Sequence, residues 1–325
     1  MKQTFFLPAL LLVSTLCFAQ FDYNHLEVAT LTQTAEQLKP YTYENLRLYP
    51  IHAKENFTNA NKNIGKYTPL NEALTKEKVK ITETSDIGSR GGSSPTVNTL
   101  YIQNTSSDTV YIMGGEVVKG GKQDRVIAQD IILPPKSKKI DLSVYCVEHG
   151  RWVHNSGAAD DFKSTTGVVS TAVRKSAEVE KNQSVVWDKV KEVTSKNQSE
   201  TSTGTYNALD KSKDYTDKVN KYVAYFKAQL AKEPNTVGFV AVSGDKVIGC
   251  DMFATSVMLN QQVVNLLKSY STEAITNGAP VKMSNAAVKT YLDKLLLSEA
   301  ARPATIQKAG KEFKKDGKTL HISAY

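Results

Sequence analysis

The chain has 325 residues, a formal net charge of +8 at pH 7 and three cysteines. Its basic residues form no block with interleaved aromatic residues, so a solvated surface is the better interpretation and nucleic acid is not expected as a partner. A chain of this length can bury a core without a framework of disulfides.

The N-terminal segment, residues 1–19, predicts a secretory signal peptide. Lys2 gives it a positive start, a long apolar run follows, and Ala19 offers a small residue for cleavage. Lipidation at Cys17 is a minor alternative, because Leu16 occupies a position where that processing requires a small side chain. The apolar run is too short for a comfortable membrane span, and no later segment approaches the roughly 20 apolar residues that a span requires. We therefore expect a periplasmic or secreted protein without a membrane span.

Residues 20–155 predict a β-rich portion. Its segments are short, rich in β-branched residues and largely alternating between apolar and polar positions. Glycine, proline and serine separate them, as turns require. A row of antiparallel strands of this kind predicts a β-sandwich or an open barrel. The six predicted strands cover residues 45–51, 79–84, 99–104, 109–113, 125–133 and 139–148.

The composition of the chain changes after residue 155. Residues 156–213 are rich in polar residues and predict a helical excursion or flap, with one apolar helical patch around Trp187. Residues 214–325 predict an α+β portion. Its predicted elements are a helix that ends near Leu230, two strands around a Gly244–Asp245 turn, helices at residues 255–277 and 284–301, and a C-terminal hairpin. The predicted fold class is α+β, with the N-terminal antiparallel β-sandwich or open barrel packed against the C-terminal portion.

The strand at residues 139–148 turns Cys146 and Glu148 to the same side, because side chains alternate along a strand. The apolar residues of this strand share that side, so Cys146 is interpreted as a buried thiol. His149 faces the other way. This parity argues against a nucleophile pair made of Cys146 and His149.

The strand before it carries possible partners for Glu148. If residues 125–133 fold back as a hairpin, two registers bring the apolar faces together. A six-residue loop places Arg125 opposite Glu148, and a four-residue loop places Arg125 opposite Cys146 and Gln123 opposite Glu148. In either register Gln123, Arg125 and Glu148 lie at the same end of the sheet, with Arg125 within reach of Glu148.

The run GGEVVKGGKQDR is interpreted as a loop whose four glycines let the backbone approach a ligand closely. It matches neither a P-loop nor a dinucleotide-binding fingerprint, so no nucleotide site is predicted from it. This run and the stretch CVEHGRW together form the predicted ligand site. Its residues are Glu116, Lys122, Gln123, Arg125, Glu148, Arg151 and Trp152.

Less specific interpretations remain open for the same residues. Arg125 and Glu148 could form a structural ion pair that closes the end of the sheet. A metal site of Cys146, His149 and His154, with Asp160 or Asp161 as further ligands, is disfavoured because Cys146 and His149 lie on opposite faces, and neither a metal nor another cofactor is expected. A disulfide between Cys146 and Cys250 is a weaker hypothesis.

In order, the chain contains the motifs LNEAL, VKITE, GGEVVKGGKQDRVI, ILPP, CVEHGRW, QSVVW and GFVAVSGDKVIGCDMF. This order resembles the ARG-and-rhodanese-phosphatase-superfamily-associated protein domain, a family of uncharacterised bacterial proteins. The resemblance implies one compact unit, and the family's name hints at ADP-ribose or a related phosphorylated ligand. By motif, the family's strongest positions are Gly115, Glu116, Gly121, Gln123, Arg125, Cys146, Glu148, Gly150, Arg151 and Trp152.

Three functions are compatible with these features. The preferred hypothesis is an extracytoplasmic protein that binds a small anionic or polyhydroxylated ligand, which could be related to ADP-ribose. The second is a hydrolase with Glu116 or Glu148 as general base, with Glu116 preferred because Glu148 faces Arg125. The third is a structural or interaction module without a small-molecule pocket. The oligomeric state is left open.

Overall fold

The computed structural model describes residues 21–84, 97–151 and 161–325. The predicted signal peptide and Trp152 lie outside the described residues. The strands, in chain order, are β1 (Leu26–Glu27), β2 (Thr42–Tyr43), β3 (Leu46–Ala53), β4 (Thr68–Pro69), β5 (Val79–Glu83), β6 (Thr99–Asn104), β7 (Val110–Ile112), β8 (Glu116–Gly120), β9 (Arg125–Ile127), β10 (Ile131–Leu133), β11 (Ile140–Cys146), β12 (Asp161–Val168), β13 (Thr236–Ser243), β14 (Lys246–Phe253), β15 (Gly310–Lys315) and β16 (Lys318–Ala324).

Most of the α-helices of the described residues lie in the second half of the chain. None of those in residues 21–84, 97–151 and 161–325 combines the length and apolar character needed to cross a membrane. They are α1 (Glu55–Asn61), α2 (Leu70–Thr75), α3 (Thr171–Lys175) with a π-helical continuation (Ser176–Glu180), α4 (Gln183–Lys196), α5 (Lys213–Leu230), α6 (Ser256–Asn277), α7 (Asn285–Leu296) and α8 (Arg302–Ala309).

A seven-stranded sheet forms the largest layer, in the order β1-β3-β13-β14-β16-β15, with β2 paired to β3. All eight residues of β13 are buried, because it lies between β3 and β14 and both of its faces are covered. Helix α6 packs against β13 and β14, and α5 packs against α6. The predicted turn at Gly244 joins β13 to β14, with Ser243 opposite Lys246. The predicted α+β class is therefore confirmed.

The second layer is a closed barrel rather than a sandwich or an open barrel. Its antiparallel strands follow one another in the order β11-β6-β5-β12-β8-β9, so no strand edge is left unpaired. Two of its strands were absent from the sequence prediction: β8 lies in the run interpreted as a loop, and β12 lies in the predicted excursion. Conversely, β3 joins the large sheet, and β10 pairs with β7 in a small three-stranded sheet.

Residues 161–213 contain the barrel strand β12 and the helices α3 and α4. Beyond the barrel strand β12, the helix α4 packs Val186, Val190 and Val193 against Val126 and Val147 on the outside of the barrel. Each of these five side chains is at most 1% exposed. The polar composition of this stretch reflects the solvent side of an amphipathic helix, while its valines at helical spacing form a third part of the core.

We expect Gly120→Ala to destabilise the barrel. Gly120 has φ +130° and pairs with Phe162, and a Cβ atom there would lie 2.4 Å from the carbonyl oxygen of Asp161. The backbone would have to move, which costs on the order of 2–4 kcal/mol of unfolding free energy. Urea unfolding checks the change.

Gly65→Ala is the matched control, because a Cβ atom at Gly65 meets nothing within 4 Å. It should change the unfolding free energy by less than about 1 kcal/mol. Equal losses in both variants would contradict the role assigned to Gly120.

Candidate functional site

The end of the barrel brings together most of the predicted site. In the β9–β11 pair Arg125 lies opposite Cys146 and Ile127 lies opposite Val144, which is the second of the two predicted registers. Gln123 lies two residues before β9 and donates from Nε2 to the carbonyl oxygen of His149 at 3.3 Å. Residues 121–125 and residues 146–151 therefore meet at one end of the barrel.

Arg125 does not pair with Glu148. Its guanidinium is fully buried, with Nη2 3.5 Å from Oε1 of Glu83 and Nη1 donating to the carbonyl oxygen of Gln123 at 2.7 Å. Within the described residues, Nε of Arg125 has no hydrogen-bond acceptor. The inward faces of β9 and β5 point into the same barrel interior, and this brings Glu83 to Arg125 while Glu148 lies beyond the end of β11.

Glu148 is bound by Arg151 instead. Nε of Arg151 donates to Oε2 of Glu148 at 2.7 Å, and its Nη2 donates to Oδ1 of Asp124 at 3.1 Å. Nη1 of the same guanidinium donates to the carbonyl oxygen of Gly121 at 3.0 Å. Arg151 thus links Gly121 and Asp124 to Glu148, and the Glu148 carboxylate already has hydrogen-bond donors from the chain.

Lys122 takes part through its backbone. Its N–H donates to Oε1 of Glu83 at 2.7 Å, which holds the carboxylate beside Arg125. Trp152, the remaining predicted residue of this end, lies outside the described residues.

Glu116 stands apart from these residues. It begins β8, four residues before Gly120, which places it about 13 Å along the strand from the barrel end. The side chain is fully buried, and Oε2 accepts a hydrogen bond from the N–H of Met113 at 2.8 Å. Burial raises the pKa of Glu116 to about 8, against the opposing effect of that hydrogen bond. The carboxyl group is therefore mostly neutral at pH 7.

Sequence reasoning missed a buried charged network where the barrel meets the large sheet. Asp251 of β14 accepts from Nη1 and Nη2 of Arg174 at 3.0 Å each, and Nε2 of His321 lies 3.0 Å from its Oδ1. Nδ1 of His321 lies 2.6 Å from Oδ2 of Asp130, which also accepts from Tyr111 at 2.8 Å. The network thus connects α3, β14 and β16 to Asp130, which lies between β9 and β10, and to Tyr111 of β7.

The charge states follow from these contacts. Burial alone would lower the pKa of His321, but the Asp130 and Asp251 carboxylates raise it to about 9. Both ring nitrogens therefore carry protons at neutral pH. Arg174 and His321 in turn hold the pKa of Asp251 below its usual range, although burial opposes them. A hint was present in the sequence, because Asp251 interrupts the otherwise apolar strand IGCDMF.

The two cysteines do not form the hypothesised disulfide. Cys146 lies in the barrel strand β11 and Cys250 in β14 of the large sheet, and both are buried free thiols. Burial raises the pKa of each thiol, so neither is a ready nucleophile at neutral pH.

A recess lies beside His149 and Gly150, on the outside of the barrel. Its position is set by Gln183, which donates to the carbonyl oxygen of Cys146 and accepts from the N–H of Cys146, both at 2.8 Å. One helical turn later, Trp187 meets the ring of His149 edge-on, with ring centroids 4.5 Å apart. The recess between this aromatic pair and residues 200–204 has a volume of about 420 Å³.

We expect the stability of the protein to fall between pH 6.5 and 9. The pKa of His321 is higher in the folded chain, about 9, than the ordinary value of 6.5, so its contribution is complete below pH 6.5 and is lost as the pH rises through 9. The loss is on the order of 3 kcal/mol. Urea unfolding at a series of pH values up to 9 measures it, and His321→Gln should be less stable at pH 6 with a flatter dependence.

Glu116→Gln is the control, because the raised pKa of Glu116 also makes stability fall, mainly between pH 4.5 and 8. This variant should keep the part of the decline that belongs to His321. If His321→Gln retains the full wild-type slope between pH 8 and 9, the assigned charge state of His321 is wrong.

Comparisons with known proteins place the chain in a family. A search of curated proteins found no match, and a search of solved structures found none either. The family model of the ARG and Rhodanese-Phosphatase-superfamily-associated Protein domain matches residues 34–325, which include the barrel, the large sheet and the helices between them. The chain therefore belongs to the ARG and Rhodanese-Phosphatase-superfamily-associated Protein domain family.

Proposed function

We propose that this chain is an extracytoplasmic protein that binds a small polyhydroxylated ligand in the recess between His149, Trp187 and residues 200–204. The observation that carries the proposal is the recess itself, whose volume of about 420 Å³ suits a small ligand. The extracytoplasmic location rests on the N-terminal sequence pattern alone.

The aromatic pair gives the recess a wall suited to a sugar ring. Trp187 and His149 both line it, and the indole Nε1 of Trp187 has no hydrogen-bond partner among the described residues. Aromatic side chains pack against the apolar faces of a ring while neighbouring polar groups bind its hydroxyls. The Gln183 contacts with Cys146 hold this wall in place before a ligand arrives.

The polar groups narrow the ligand class. Hydroxyl groups come from the serines and threonines of the lining, and the charged groups are Asp188, Lys191 and Glu200. Carboxylates accept hydrogen bonds from sugar hydroxyls, and the single lysine can bind one anionic group. Two carboxylates and one lysine favour a neutral or singly charged ligand over a diphosphate such as ADP-ribose.

The predicted binding residues at the barrel end hold the backbone that forms one wall of this recess. Arg151 donates a hydrogen bond to Glu148, and Gln123 donates one to the carbonyl oxygen of His149. These contacts hold the backbone at His149 and Gly150. Gly150 also donates its N–H to the carbonyl oxygen of Thr203 at 2.8 Å, which ties this backbone to residues 200–204. In this proposal they position the wall and do not contact the ligand.

The hydrolase hypothesis draws less support from the same contacts. Glu148 accepts hydrogen bonds from Arg151 and from the N–H of Asp124, so its Oε2 is occupied. Glu116 is fully buried and, with a pKa of about 8, holds a proton at neutral pH. A general base must be deprotonated and within reach of its substrate.

We expect Trp187→Leu to weaken ligand binding at least about tenfold, because the aromatic wall is lost. Isothermal titration against neutral sugars, sugar acids, sugar monophosphates and ADP-ribose measures binding, and thermal unfolding shows whether each variant folds. Lys191→Gln should weaken binding of sugar acids or monophosphates more than binding of neutral sugars.

Lys308→Gln is the matched control for Lys191→Gln. Lys308 is an exposed lysine of α8 outside the lining of the recess, so this variant should bind like the wild type. Two outcomes would overturn the proposal. One is that no ligand of the panel binds, and the other is a bound ligand whose affinity is unchanged in Trp187→Leu and lost in Arg125→Lys.

A further inference from the structure

A second recess lies at the beginning of α6, on the large sheet. It has a volume of about 280 Å³ and shares no lining residue with the recess at Trp187. Parts of α1, the residues that follow it, and the junction between β14 and α6 form its walls. Binding at this recess does not depend on binding at the recess beside Trp187.

The first turn of α6 offers backbone donors to this recess. Thr255 is the N-cap, and its side chain accepts from the N–H of Met258 at 3.2 Å. The N–H groups of Ser256 and Val257 precede the first intrahelical hydrogen bond, and both residues line the recess. Helix α6 has 22 residues and no acidic residue in its first turn, so the positive end of its dipole is not compensated locally.

Asn61 supplies a second, independent indication of a ligand. It lines the recess, it is 4% exposed, and its Nδ2 has no hydrogen-bond acceptor within the part of the chain that the structure describes. A buried amide N–H without an acceptor costs about 1–3 kcal/mol, so such groups usually have a partner. An oxyanion in the recess would supply that acceptor.

The charged side chains that line the recess are both lysines. Lys62 and Lys66 line it, and no carboxylate does so among the described residues. Glu233 lines the adjoining recess, but its oxygens face other partners: His52 Nε2 lies 3.0 Å from Oε2, and the Tyr41 hydroxyl donates to Oε1. The site therefore attracts an anion.

Two further features of the recess bear on the ligand: the hydrogen bonding of a nearby carbonyl oxygen and an apolar part of the lining. The last carbonyl oxygen of α1, that of Asn61, accepts from the N–H of Ile64 at 2.9 Å and so presents less negative potential to the recess. Phe57, Ile64 and Val257 give the recess an apolar side, and Val257 is 46% exposed. The space thus accommodates an anionic group together with a small apolar part.

We propose that this recess binds the phosphate group of a small phosphorylated molecule. The N–H groups of Ser256 and Val257 and the amide of Asn61 bind the phosphate oxygens, and Lys62 and Lys66 neutralise its charge. Phosphate is preferred over a carboxylate because its oxygens can meet donors from the helix end, the amide and the lysines at the same time.

The test uses the whole chain with isotope-labelled backbone amides and titrates inorganic phosphate and phenyl phosphate at constant ionic strength. The amide resonance of Val257 should shift in a saturable way, with phenyl phosphate binding more tightly than inorganic phosphate. Ser256→Pro should weaken both at least about tenfold. Proline suits this first helical position because Thr255 is extended, at φ −143° and ψ 151°, so the variant loses one N–H without losing the helix.

Lys213→Pro is the matched control, because it places proline at the first position of α5 after an extended Ser212. Its phosphate affinity should equal that of the wild type, and Lys62→Gln combined with Lys66→Gln should weaken binding as Ser256→Pro does. The proposal is overturned if no saturable shift occurs at Val257. It is equally overturned if binding survives unchanged in Ser256→Pro and in the double lysine variant, which would indicate an adventitious ion only.

Discussion

The fold depends on keeping Asp251 charged in the middle of a buried strand. A carboxylate with no exposed surface is tolerated only when oppositely charged groups replace water around it, and Arg174 and His321 do so. His321 then binds Asp130, which lies next to the barrel strands. A requirement for charge balance inside the large sheet thus fixes the position of the barrel against it.

The glycine pair at the start of the barrel strand β8 follows from the same requirement. A Cβ atom at Gly115 would lie 2.6 Å from Cγ of Arg174, and one at Gly114 would lie 2.8 Å from the carboxyl carbon of Glu178. Glycine is needed because the buried Arg174 and Glu178 side chains pass directly over the backbone. In the sequence this run suggested a backbone that approaches a ligand, whereas the groups it approaches belong to the chain.

The sequence predicted correctly those features that depend on residues close together in the chain. Helical spacing predicted α5 and α6, the Gly244 turn was correct, and strand parity predicted the buried Cys146 and the opposite face of His149. Parity could not find the partner of Arg125, because β9 is bonded to β8 and β11 while Glu83 lies on β5. The two residues meet only because closure of the barrel brings non-adjacent strands together across its interior.

Each recess lies at a helix that begins beside the end of a strand, but the charged side chains that line the two recesses favour different ligands. At α4 two carboxylates accompany one lysine, and an aromatic pair forms the wall. At α6 two lysines accompany free helix N–H groups and a buried amide. A diphosphate would meet repulsion at the first site and attraction at the second. The hint of a phosphorylated ligand in the family's name therefore fits the recess at α6 better than the recess beside His149, for which we propose a polyhydroxylated ligand.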